Sequence, residues 1–103
     1  MFVGASRIEL HIPGAVSLKD KRQVVKGLKD RLRSRLGVAV AEVDAHDQWQ
    51  RSVLLVSAVG RTHGDVEESL VAVQRHADHL YDAEITRFES CIVSFDDLVG
   101  GVT

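Results

Sequence analysis

A chain of 103 residues, 45% of them apolar and 27% charged, is the size of one domain with ordinary globular usage, too short for two independent cores. No apolar run nears the roughly 20 residues that a membrane helix needs, and Met1 to Arg7 alternate where a signal peptide would place a basic segment before an apolar one. The formal net charge of −2 hides an uneven distribution. From Ser17 to Leu36 eight basic residues stand against Asp20 and Asp30, a local charge of +6, while the remaining five basic and thirteen acidic residues sum to −8. Such asymmetry bears on partners and association rates and leaves the fold open. The one cysteine, Cys91, cannot make an internal disulfide, so a reducing, cytoplasmic setting without a membrane is expected.

Phe2 to Ile12 alternates as a strand, with Gly4, Ser6, Ile8, Leu10 and Ile12 on one parity and Val3, Ala5, Arg7, Glu9 and His11 on the other. The second set is more polar, which predicts one covered face of the sheet and one open face. Pro13-Gly14 ends the strand. Ser17 is placed as an N-cap with Asp20 three residues on, and Leu18, Val25, Leu28, Leu32 and Leu36 form one helical stripe that Gly37 stops.

Val38 to Ala45 reads as a second strand, His46-Asp47-Gln48 as a turn, and Trp49 to Val59 as a third strand. The apolar run Val53-Leu54-Leu55-Val56 predicts a central position in the sheet. A second helix is expected from Asp65, with Val66, Leu70, Val73, Ala77 and Leu80 as its buried stripe. Ala83 to Phe95 reads as the last strand and Asp96 onward as a frayed tail, so that a single domain spans residues 1–97 and residues 98–103 are flexible.

The order strand-helix-strand, given twice, predicts an α+β fold: a ferredoxin-like two-layer α/β sandwich, βαββαβ, with an antiparallel sheet of order 4-1-3-2 and both helices on one face.

Three stretches carry a family resemblance: Arg7 to Gly14 (RIELHIPG), Ser17 to Arg22 (SLKDKR), and Val40 to Asp44 (VAEVD) followed by Trp49-Gln50-Arg51. The chain resembles the YlxP-like bacterial family, a domain of unknown function numbered 503, over nearly its whole length. The resemblance implies a ferredoxin-like fold in a bacterial cytoplasm. Members of that family are often encoded beside translation-initiation and ribosome-maturation factors, so the resemblance implies a link to RNA or the ribosome. It supplies no catalytic residues, and the acidic second half and Gly100-Gly101 lie outside its pattern.

The side chains Lys19, Arg22, Lys26, Lys29 and Arg33 step by three, four, three and four residues along one flank of the first helix. They form a row about 21 Å long, its charges one helical turn apart. That spacing suits successive backbone phosphates, with structured RNA or the small ribosomal subunit as the expected partner, contacted without base reading. The plainer alternative is a solvated helix face.

The open sheet face should not stack bases, because its central strands present Arg7, Glu9, His11, Arg51 and Ser57 where RNA-recognition domains place aromatics. With Glu9, Glu42 and Glu89 expected on it, that face suits a protein partner or a homodimer, and Arg7, Glu9, His11 and Trp49 are its candidate interface residues. Trp49 reads either as an interface anchor or as an edge residue packed on its own hairpin.

Asp44, His46 and Asp47 read as turn residues and not as a metal site, His76 and His79 as surface residues, and Cys91 as a small core residue. The Pro13–Val16 turn lacks both P-loop spacing and the Gly-rich loop with catalytic Arg of an acylphosphatase. No enzyme activity, cofactor or metal is expected.

Overall fold

Ser17 and Gly37 delimit the long helix in the computed structural model, which describes residues 1–101. The Ser17 hydroxyl accepts from the Asp20 amide, the Asp20 carboxylate accepts from the Val16 amide, and Gly37 closes the other end at φ 64°. Glycine takes that left-handed conformation without the steric cost a Cβ would bring. The elements run β1 (Phe2–His11), α1 (Leu18–Leu36), β2 (Ala39–Asp44), β3 (Arg51–Gly60), α2 (His63–Asp78), β4 (Glu84–Ser94) and α3 (Phe95–Gly100).

The four strands form one antiparallel sheet in the order β2-β3-β1-β4, which is the expected 4-1-3-2 read from the other edge. Ile8 and Leu10 of β1, Leu54 and Val56 of β3 and Val40 of β2 meet Val25, Leu28 and Leu32 of α1 and Val66, Leu70 and Val73 of α2 in one core. Each helix thus buries one stripe and each strand one parity, the two-layer solution to covering an amphipathic sheet.

Several boundaries differ from expectation for local reasons. The third strand begins at Arg51, because Trp49 and Gln50 belong to the turn. The second helix begins at His63: Thr62 is its N-cap, its hydroxyl accepting from the Asp65 amide, so Asp65 is the third residue of the cap and not its start. Residues 96–100, expected to fray, form α3 because the Ser94 side chain caps it by accepting from the Asp97 amide. Residues 102–103 of the expected tail lie outside the described residues.

Gly4 marks the closest approach of α2 to the sheet. A Cβ built there would stand 2.4 Å from a Val66 methyl and 3.0 Å from a Leu70 methyl, so any side chain forces the helix away. Gly4→Ala is therefore expected to lower stability by about 1–3 kcal/mol. The measurement is a urea unfolding midpoint, and an unchanged midpoint would show that this contact is looser than drawn.

Candidate polyanion surface and its internal anchor

The basic residues of α1 do not all point the same way. Seven of the eight lie on the outer surface of the helix, and the eighth, Lys21, is 1% exposed. Its place follows from spacing: Leu18, Lys21, Val25, Leu28 and Leu32 step by three, four, three and four residues, so Lys21 occupies a core position of the apolar stripe.

There its ammonium donates to Glu42 Oε2 at 2.8 Å, to the Ala45 carbonyl at 2.8 Å, and to the carbonyls of His46 at 3.2 Å and Arg51 at 3.4 Å. Glu42 Oε2 also accepts from the buried Ser52 hydroxyl at 2.6 Å. The cluster pins the start of α1 to the β2–β3 hairpin, including the turn residue Ala45, held at φ 63°.

This overturns one expectation. Glu42 is not on the open face: it pairs across the sheet with buried Leu54 and points toward the helices. A bulge after Glu42 leaves Val43 as the extra residue before Asp44 resumes pairing with Val53. Burial disfavours the charged form of Glu42, but the hydrogen bonds from Lys21 and Ser52 outweigh it and hold its carboxyl below the ordinary value.

Of the row Lys19, Arg22, Lys26, Lys29 and Arg33, all are exposed except half-buried Lys29. Lys26 pairs with Asp30 at 2.8 Å, an i,i+4 surface contact in which the lysine is still 75% exposed. That hydrogen bond, aided by the charges of Lys26, Arg33 and Lys29, lowers the Asp30 pKa. Arg33 donates one nitrogen to the Val40 carbonyl at 2.6 Å, which aims its side chain across the helix-to-β2 junction. Among the described residues the side chains of Lys19, Arg22 and Lys29 make no hydrogen bond or ion pair. With Lys21 turned inward against Glu42, the helix presents seven cations and two carboxylates outward. One of those, Asp20, serves the N-cap.

The other candidates sit elsewhere. Arg7, Glu9 and His11 lie on the open sheet face, each engaged with a neighbour: Arg7 with Glu89, Glu9 with Arg51 at 3.4 Å, His11 with Glu84 at 2.7 Å. The Arg7 hydrogen bond is the main reason the Glu89 carboxyl is lowered, and Arg87 adds to it. Trp49 is 53% exposed in the hairpin turn and borders a shallow groove with His11, Asp47 and Arg51. It is not tightly packed on its own hairpin. Cys91, expected in the core, is exposed, because its parity in β4 faces the uncovered side of the sheet. His76 is half-buried, with its Nε2 enclosed and unpartnered. It borders a cavity of about 390 Å³ with Arg31, Arg35 and His79.

A family model described as "Protein of unknown function (DUF503)" matches residues 3–90. The uncharacterized protein YlxP of Bacillus subtilis (strain 168) is 33% identical over 89 residues, covering 84% of this chain and 97% of that protein. Among solved structures, a de novo designed protein with a ferredoxin fold superposes with a TM-score of 0.51 at 10% identity, over 90% of this chain and 84% of that one. A crystal structure named after chlorite dismutase superposes with a TM-score of 0.57 at 8% identity, over 98% of this chain but only 48% of the other. At these identities the likeness is one of fold.

The anchor yields two expected outcomes. Lys21→Met strands the Glu42 carboxylate and should cost about 3 kcal/mol or more, whereas Lys26→Met, which removes an exposed pair, should stay within about 1 kcal/mol. Equal urea midpoints for the two variants would contradict the assignment. Because the Glu42 pKa is lowered in the fold, its contribution is complete above the ordinary value of 4.5 and is lost as pH falls through the folded value. Glu42→Gln should therefore flatten the acid limb of a stability-against-pH curve, and an unaltered limb would argue against the linkage.

Proposed function

We infer the role of this chain, which belongs to the DUF503 family whose description assigns no activity, from its own surface. We propose that it is a non-enzymatic protein that docks on the phosphate backbone of structured RNA through the outward side of α1. One observation carries the reading: the helix holds seven outward cations, and among the described residues a single carboxylate ion pair, Lys26–Asp30, opposes them. A helix face built only for solubility commonly interleaves Glu with Lys, since like charges three or four residues apart each cost a few tenths of a kcal/mol. This helix contains no Glu.

Within the row, Lys19, Arg22 and Lys29 are the cations whose side chains have no local hydrogen-bond partner among the described residues, and so they supply the phosphate contacts. Lys26 can exchange Asp30 for a phosphate at little cost, because an exposed pair is worth at most about 1 kcal/mol. Arg33, steered by the Val40 carbonyl, marks the end of the row. Contacts of this kind position a nucleic acid without reading its bases. The implied link of the resembling family to translation makes ribosomal RNA, and the small subunit in particular, the first polyanion to try.

The internal Lys21 is not free for chemistry: its three protons face four oxygen acceptors. This supports a binding role over a catalytic lysine, which needs a free, deprotonated amine.

The test is binding of purified protein to small ribosomal subunits and to a structured RNA fragment across about 50 to 200 mM salt. The variant Lys19→Glu, Arg22→Glu, Lys29→Glu should bind at least tenfold more weakly, and the slope of log affinity against log salt should shrink by about 2–3. Equal affinity and equal slope for variant and wild type would dismiss the role.

A further inference from the structure

The side of the sheet opposite the helices is bare, and the strand register sorts it into rows. Val59, Val3 and Val93 form one row, and Ala39, Ser57, Ala5 and Cys91 the next. Ala41, Leu55, Arg7 and Glu89 form a mixed row, followed by Asp44, Val53, Glu9 and Arg87 and then by Arg51, His11 and Glu84. One half of the face is therefore apolar and small, with Leu55 43% and Val59 77% exposed. The other half is charged and largely paired: Arg7 and Arg87 hold Glu89, Arg51 holds Glu9, and His11 holds Glu84, while Asp44 at the β2 edge has no cation beside it among the described residues.

We propose that this face is covered by the same face of a second copy of the chain, with the twofold axis running along the strands. Three arguments favour a second copy over another partner. The face carries three Arg against three Glu and Asp44; each Glu is already paired within its own sheet and exposed Asp44 stands at the β2 edge, so covering the centre of the face strands no charge. Three Arg against four carboxylates leave little net field for a strongly charged partner to complement, and a copy of the face is as weakly charged as the face it covers.

An axis along the strands is the in-plane twofold that lays the apolar half of one copy on the apolar half of the other. Val59 then meets the partner's Val3, Ser57 meets the partner's Ala5, Ala39 meets the partner's Cys91, and Leu55 lies under the stem of the partner's Arg7. An in-plane axis across the strands would lay the valine rows on the charged rows. The size also suffices. Four strands about 4.8 Å apart with a rise of about 3.4 Å per residue give roughly 600 Å² per copy. Two copies reach about 1,200 Å² before side-chain relief is added, the lower edge of specific interfaces. The small residues of the second row let two sheets approach to the usual spacing of about 10 Å.

Sedimentation equilibrium of the purified full chain is the primary test. A dimer that persists in about 1 M salt, where the Debye length is about 3 Å, is the expected result. Leu55→Lys with Val59→Lys alters two exposed side chains, and the variant should be monomeric with an unchanged far-ultraviolet spectrum. Labelling of Cys91 by a thiol reagent should slow in the wild type as protein concentration rises, a readout that needs no variant. A wild-type monomer, a dimer dissolved by salt, or Cys91 labelling independent of concentration would each overturn the proposal. This inference does not depend on RNA binding by α1, since none of these measurements contains nucleic acid.

Discussion

The Lys21 ammonium sits where an isolated charge would cost several kcal/mol, and it persists there because Glu42 and three backbone carbonyls replace its water. An apolar side chain at that position could pack in many orientations. An ammonium that must reach one carboxylate and three carbonyls at 2.8–3.4 Å accepts few. The cluster therefore sets where α1 starts along the sheet and how the β2–β3 hairpin closes. Ala45 is part of it: its left-handed backbone, unfavourable for a residue with a Cβ, delivers the carbonyl that Lys21 binds.

With Lys21 neutralised inside, the remaining charges divide by side of the molecule. On the helical side the cations of α1 repel one another, and helix propensity alone would not sustain that row. Burial of Val25, Leu28 and Leu32 supplies the stabilisation, each side chain contributing about 1.5–3 kcal/mol, far above a few tenths per like-charged pair. On the sheet side Glu9 and Glu89 have an Arg beside them and Glu84 has His11. The same small chain thus carries one surface with a strong field and one with almost none, and the two suit different kinds of neighbour.

How legible this was in the sequence depends on the range of the interaction. The caps at Ser17 and Gly37, both apolar stripes and the sheet order follow from local chemistry and a period of 3.6 or 2, and they read out directly. Lys21 did not, although a signal existed: it falls in the helix's apolar heptad pattern, where a lysine demands a buried acceptor. Glu42 reads by residue type as an exposed charge, whereas the parity it shares with Val38 and Val40 points it at the helices. Cys91 was misjudged by its residue type, which is usually buried, when its register beside Ala5 placed it on the uncovered face. The tail failed for a smaller reason, a Ser94 cap that a short, weakly apolar segment did not advertise.

The two surfaces lie on opposite sides of a two-layer sandwich, so occupation of one leaves the other open. Stacking two sheets gives four layers in the order helix, sheet, sheet, helix, with the α1 rows facing outward in opposite directions. Two rows so placed cannot grip the same short stretch of RNA, and dimerisation would bring no gain in effective concentration for a short ligand. A large folded RNA that wraps both faces, or two separate RNA elements, could engage both rows. The geometry therefore separates two modes of use for a doubled domain: tighter holding of one small site, which it disfavours, and bridging of distant phosphate surfaces, which it permits.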